Sequence, residues 1–242
     1  MAVIELNRPH RLNAVTDTVA RAVAAAVRRA VDEGARAILL TGAGRAFCSG
    51  HDLKEPVPKE NALSARERLE RLQDVTRAIK RAPVPVIAAV HGWAVGAGCE
   101  WAVACDLVVA AEGTRFSFPE VGAGLAVTNG VSQLLGAVLG PQRAKYLLMT
   151  GAVFTAEEAH GWGMVNEVVP EGEERRRALA LAESLLDKPS IPLALAKEGI
   201  DRGLGAGLEE ALTMEVDLSM RVVDTEDPGR DATAQDRKWG TA

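Results

Sequence analysis

Residues 84–125, VPVIAAVHGWAVGAGCEWAVACDLVVAAEGTRFSFPEVGAGL, constrain the fold of this chain more than any other stretch. They read as an apolar strand at 85–90, a turn of small residues at 92–98, a short apolar helix at about 99–105 and a second apolar strand at 107–111. Two carboxylates, Glu100 and Glu120, fall in this nearly uncharged setting. A glutamate is rarely buried without a partner, and an unpartnered one either costs several kcal/mol or takes up a proton. Taken singly, Glu100 fits an ordinary first-turn helix carboxylate and Glu120 a solvated loop acid.

The rest of the chain can be placed around this stretch. Residues 2–6 form a short strand ending in the turn signal Asn7-Arg8-Pro9, and Thr16 or Asp17 caps an alanine-rich amphipathic helix that stops near Gly34. AILLT at 37–41 is a buried-type strand, so strand, helix and strand predict a right-handed parallel crossover. A loop of small residues at 42–52 follows. Pro56 and Pro58 then break the chain, and a helix at 64–81 packs through Leu69, Leu72, Val75 and Ile79. The segment 54–63 between them is the expected mobile lid. Helices follow from about 130 to 139 and again from Pro141, and Thr155-Ala156-Glu157-Glu158 opens another in the manner of a capping box. After Pro170 three helical patterns (173–186, 192–203, and 208 to about 222) run with no strand between them. The chain thus divides into a strand-and-helix core at 1–170 and a helical region at 171–242, with a polar tail from 227 that is expected to be partly exposed.

Composition narrows the function. A chain of 242 residues, 48% hydrophobic and 25% charged, can bury a sizeable core. A net charge of -5 and a pI near 5.5 argue against a nucleic-acid partner. The longest apolar run, 101–111, is broken by Asp106 and falls short of a membrane span, and the first residues lack a signal-peptide pattern, which makes a cytoplasmic protein the expectation. Cys48, Cys99 and Cys105 form no CxxC pair and read as reduced thiols. His10, His51, His91 and His160 are scattered without metal-ligand spacing, so no metal is expected.

Five blocks in order carry a resemblance. They are LNRPHRLNAV at 6–15, GRAFCSGHDLKE at 44–55, GWAVGAGCEWAVACDLVVA with FSFPEVGAGL at 92–125, GPQRAKYLLMTG at 140–151, and AEEAHGWGMVNEVVP at 156–170. Together they resemble the enoyl-CoA hydratase/isomerase (crotonase) superfamily over nearly the whole chain. The resemblance implies an α/β fold, a spiral of ββα turns with a C-terminal helical region that packs against neighbouring subunits in a homo-trimer or homo-hexamer. It implies acyl-CoA thioester chemistry through an enolate, most directly syn hydration of a 2-enoyl-CoA, with double-bond isomerisation, a specialised hydrolase or decarboxylase, or acyl-CoA binding alone as the other members' uses of the scaffold. Coenzyme A enters as part of the substrate and no separate cofactor is implied.

The resemblance also assigns roles. The main-chain N–H groups of His51 and Ala97 are the expected oxyanion hole, where negative charge develops on the thioester oxygen. Glu100 is the expected base toward water and Glu120 the acid/base at the α-carbon; having both favours hydration. Arg11, Ala46, Ser49, His51, Asp52, Leu53 and Lys54 are the expected contacts to coenzyme A; Gly96, Gly98 and Thr128 complete the expected substrate-binding set, with Thr128 in the region that shapes the acyl pocket. Read from the residues alone, Asp52 is better explained as a cap and Asp106 as a hydrogen-bonding residue at the start of a strand. Many hydratases of the superfamily carry a PGAGGTQRL-like run after the second glutamate. Here it reads Val127-Thr128-Asn129-Gly130-Val131-Ser132-Gln133-Leu134, with Thr128 where a glycine would face the water and acyl group. An AFxEKR-like segment is likewise altered to ATAQDR at 232–237.

Overall fold

In the computed structural model, which describes residues 1–54 and 61–223, the chain opens with β1 (Ala2–Leu6), a 3-10 turn (Pro9–Arg11), α1 (Asp17–Asp32) and β2 (Ile38–Gly42). It continues through α2 (Ala62–Arg81), β3 (Val86–Val90), β4 (Trp93–Val95), α3 (Ala97–Ala104), β5 (Leu107–Ala111) and β6 (Arg115–Ser117). Then come α4 (Val131–Leu139), α5 (Pro141–Thr150), β7 (Phe154–Thr155), α6 (Ala156–Gly161), β8 (Glu167–Val169), α7 (Glu174–Leu186), α8 (Ser190–Gly203) and α9 (Leu208–Val223). The expected lid lies mostly, and the expected polar tail and the 232–237 segment lie wholly, outside the described residues.

Five strands form one parallel sheet in the order β1-β2-β3-β5-β8. Every residue of β2 and β3 is buried, which explains why they read as unbroken apolar runs: a parallel sheet is covered on both faces. Side chains alternate between the two covers. Ile38, Leu40, Val86, Ala88 and Val90 join the main core with α1 and α2, while Leu39, Ile87, Ala89 and Val109 meet Ala178 and Ala182 of α7. The helix just after Pro170 is therefore part of the cover of this sheet. α8 and α9 pack on each other around Leu195, Met214 and Leu218.

A second, smaller layer positions the site. β4 pairs with β6 in parallel, and β6 with β7 antiparallel. Two isolated parallel bridges, Cys48↔Ala94 and Val15↔His51, extend this layer across the loops that follow β1 and β2. Each early turn of the chain thus places one segment in the large sheet and the next in the small layer before a helix returns.

Local chemistry starts the helices where the sequence indicates. The Thr16 side chain accepts from Val19 N at 3.2 Å, and Thr155 and Glu158 form a reciprocal capping box. α3 begins at Ala97, two residues earlier than the sequence suggests, and the stretch read as a plain turn contains β4. Residues 93–95 are too few to show a strand period. They become a strand only because β6, some twenty residues on, pairs with them.

Candidate active site

Parallel pairing sends the C-terminal ends of neighbouring strands to the same edge of a layer. In the small layer this gathers four exits: the chain after Val15, the loop Ser49-Gly50-His51, the Gly96-Ala97 start of α3, and the segment Phe118-Pro119-Glu120 after β6. The loops carrying His51 and Ala97 meet backbone to backbone. Val95 N donates to Cys48 O at 2.9 Å, and a β-carbon placed on Gly98 would lie 2.4 Å from Cys48 O. Gly50 has φ +84, and a β-carbon on it would lie 2.7 Å from Val95 O and 3.5 Å from the α-carbon of Gly96. Only glycine permits both this φ and this approach.

The two N–H groups are oriented by this framework. Val15 N donates to Gly50 O at 2.7 Å and Asp52 N to Val15 O at 2.8 Å, so the N–H of His51, the residue between, is directed away from Val15. Ala97 is the first residue of α3, whose opening N–H groups have no intrahelical acceptor and carry the positive end of the helix dipole. Among the described residues, neither N–H donates to a main-chain acceptor.

α3 is apolar on every side and buried along almost its whole length, so Glu100 on it requires donors. It is 1% exposed and receives three hydrogen bonds: Thr128 N to Oε1 at 2.8 Å, Thr128 Oγ1 to Oε2 at 2.9 Å, and Asn129 Nδ2 to Oε2 at 2.8 Å. Glu120 is placed differently. Its Oε1 lies against Gly96, and its Oε2 is buried with no hydrogen-bond partner among the described residues. Burial pushes the Glu120 carboxyl up to about 7; a hydrogen bond from its own main chain opposes the rise, and the charge of Glu100 adds to it. Cys99, between the two acids in charge terms, is driven well above the ordinary thiol range by burial and then by Glu100 and Glu120, and stays neutral.

Of the residues expected at coenzyme A, Asp52 is nearly buried and held from three sides. Arg11 Nη2 donates to its Oδ1 at 2.6 Å, Arg8 Nη2 to its Oδ2 at 3.1 Å, and Lys54 N to Oδ1 at 3.1 Å. The Arg11 hydrogen bond, foremost among these, holds the Asp52 carboxyl below its usual range. The Arg11 guanidinium is thereby placed on Asp52. Ala46 is fully buried and Ser49 Oγ reaches Arg11 O at 3.5 Å, while Leu53 and Lys54 are exposed at the rim.

The sequence of this chain matches the family model "Enoyl-CoA hydratase/isomerase" over residues 1–240. The crotonyl-CoA hydratase of Syntrophomonas wolfei is 34% identical over 236 residues, covering 97% of this chain and 90% of that one. The 1,2-epoxyphenylacetyl-CoA isomerase of Escherichia coli is 36% identical over 218 residues, 88% of this chain and 83% of that one. The crystal structure of enoyl-CoA hydratase from Bacillus anthracis superposes with a TM-score of 0.89 at 33% identity, covering 98% of this chain and 92% of that one. The chain belongs to the enoyl-CoA hydratase/isomerase family.

Within that family fold, the structure adds Asn13, which sequence reasoning passed over, and a hydrogen-bonding role for Asn129, which the sequence marked only as part of the altered run. Asn13, 1% exposed and at φ +57, donates to Ala43 O at 2.9 Å and Ala46 O at 2.8 Å and accepts from Arg8 N at 2.8 Å, tying the first loop to the loop that leads to His51. Asn129 does the same for Glu100, and Thr76 on α2 anchors it by donating to Asn129 O at 3.1 Å. Asn13 lies in the block LNRPHRLNAV and Asn129 in the altered run VTNGVSQL, each among other polar residues that give it no distinguishing pattern. Among the described residues, no helix is long and apolar enough to cross a membrane.

Proposed function

We propose that this chain is an enoyl-CoA hydratase that adds water syn across the double bond of a 2-enoyl-CoA. The observation that carries the reading is the pair of acids at the strand-end edge where the His51 and Ala97 loops touch: Glu100 on α3 and Glu120 after β6. The thioester oxygen accepts from the N–H groups of His51 and Ala97, which stabilise the enolate as it forms. A carboxylate offers about four acceptor directions; three of those on Glu100 are filled, and the fourth, on Oε1, takes a proton from water as its oxygen bonds to the β-carbon. Glu120, neutral up to about pH 7, gives its proton to the α-carbon. The products are a 3-hydroxyacyl thioester, a protonated Glu100 and an ionised Glu120, and proton return through solvent resets the pair.

The coenzyme lies along residues 11 and 46–54, with exposed Lys54 and Leu53 at the rim and Gly96, Gly98 and Thr128 toward the acyl end. Assembly is as a homo-trimer or homo-hexamer through the helical region from residue 171. The exposed Leu208, Leu212, Val216 and Met220, one turn apart along α9, support a covered face there. A reducing cytoplasmic compartment suits three buried, unpaired cysteines.

A second reading, a double-bond isomerase working mainly through Glu120, draws on the three hydrogen bonds that already engage Glu100 and the unpartnered Oε2 of Glu120. Loss of the enoyl ultraviolet band on adding crotonyl-CoA, with product masses from a panel of acyl-CoA thioesters, separates the two. Hydration predicts a gain of one water, abolished in Glu120→Gln by about 10²–10⁴-fold. A product of unchanged mass with a shifted double bond would establish the isomerase, and equal slow turnover in both proteins would remove Glu120 from the chemistry.

A further inference from the structure

The three donors to Glu100 come from two consecutive residues, and they form a closed set. Thr128 supplies its N–H to Oε1 and its hydroxyl to Oε2; Asn129 supplies its amide to Oε2 at 2.8 Å and to the Thr128 hydroxyl at 3.0 Å. The Thr128 hydroxyl therefore gives its proton to the carboxylate while accepting from Asn129, and its orientation is determined. Asn129 is itself over-determined: 1% exposed, at φ +53, with its main-chain oxygen and its Oδ1 both facing the Thr76 hydroxyl at 3.1 and 3.3 Å. A left-handed residue other than glycine persists only where surrounding contacts hold it. Thr128, branched at its β-carbon, adds a stiff side chain.

We infer that Thr128 and Asn129 are positioning residues for water addition, turning Glu100 so that a single Oε1 direction remains to accept a proton from water. This rests on the hydratase reading above. A burial requirement alone does not need this arrangement, because the Thr128 N–H and one further donor would already leave neither carboxylate oxygen unpartnered. The third bond and the Asn129–Thr128 link instead remove the carboxylate's freedom to rotate. Proton transfer at the α-carbon belongs to Glu120, which makes no hydrogen bond to either residue among the described ones. The two half-reactions therefore depend on different supports.

That separation gives the test. Thr128→Val keeps the N–H and the branched shape and removes the hydroxyl. Two rates are measured on each protein: hydration of crotonyl-CoA, and exchange of the α-hydrogens of butyryl-CoA with D2O, which has no double bond to hydrate and reads Glu120 with the oxyanion hole. The ratio of hydration to exchange is expected to fall on the order of 10²-fold in Thr128→Val, a misplacement-sized loss, in kcat more than in KM, and to recover in Thr128→Ser. Thr76→Val, which releases Asn129 from a distance, should lower the same ratio less, and it serves if Thr128→Val does not fold. Parallel loss of both rates would make the set merely structural and overturn the inference, as would an unchanged ratio. A wild-type protein that exchanges the α-hydrogen and adds no water overturns the hydratase reading itself, an outcome visible before any variant is made.

Discussion

The Oε1 of Glu120 lies against the α-carbon of Gly96, so near that a β-carbon built there would be 2.8 Å from it. The residue capping α3 and the acid after β6 are thus in contact although 24 positions separate them in sequence, because β4 and β6 run in parallel and end at one edge.

Gly96→Ala and Gly98→Ala should consequently fail in different ways. At Gly96 the obstacle is the far end of a side chain, together with a backbone at φ +52 and ψ -124, the first central position of a II′ turn, which costs an alanine about 1–3 kcal/mol. The variant is expected to fold, with Glu120 displaced and hydration reduced on the order of 10²-fold. At Gly98 the obstacle is Cys48 O at 2.4 Å and the Cys48 β-carbon at 2.6 Å, neither of which can swing aside. Gly98→Ala should spread the loops that carry His51 and Ala97 and lower the thermal midpoint as well as the rate. Equal melting curves for the two variants would contradict this distinction.

The pH dependence follows from Glu120. In the proposed mechanism hydration starts with one proton on the acid pair, on Glu120, and ends with one, on Glu100; dehydration starts from that same proton count. kcat/KM should therefore fall in both directions as pH rises through about 7, where Glu120 ionises. Stability moves the same way. An ordinary glutamate titrates near 4.5 and this one near 7, so between those values the folded chain binds the extra proton and loses stability as pH rises. Glu120→Gln should flatten that slope. Rate profiles level from pH 5 to 9 would be inconsistent with a neutral Glu120 as proton donor.

Asp52 acts through the loop beside it. Its two arginines and the Asp52 N to Val15 O bond hold the bridge that turns the His51 N–H outward. Asp52→Asn is expected to lower kcat for hydration about tenfold and to lower the thermal midpoint at neutral pH. Because the Asp52 carboxyl is held below its ordinary range, its contribution is present above the ordinary aspartate value and disappears as pH falls through the folded one, so wild type and variant should converge in acid. A gap between the two melting curves that persisted at pH 2 would count against the ion pairs as its source.

A largely enclosed cation helps to hold α8 against the core. Lys197 on α8 directs its ammonium at Asp106 Oδ2 (2.7 Å), Ile79 O (2.8 Å) and Val84 O (3.1 Å), which matches the three protons it carries. Lys197→Met leaves Asp106 without that partner and should destabilise by about 3–5 kcal/mol in urea unfolding. Adding Asp106→Asn should recover part of the loss, since the stranded charge is then gone. A single variant within about 1 kcal/mol of wild type would mean that the pair does not anchor α8.

What the sequence by itself determined is local or periodic. The unbroken apolar run of β3 announces a strand covered on both faces, Thr16 and Thr155 announce helix starts, and the glycines around Ala97 announce close backbone approach; each needs only neighbours along the chain. The tertiary structure decided the rest. β4 and β6 are three residues each, too short for a period, and exist as strands because they pair. Arg11, an exposed cation to the sequence, is spent on Asp52 41 positions away, and Asn129, to the sequence only one residue of an altered run, reaches Glu100 across 29. Such contacts leave no pattern in a linear sequence. They form because a buried carboxylate must find donors, and which donors lie in reach is settled only when the parallel strands close into layers.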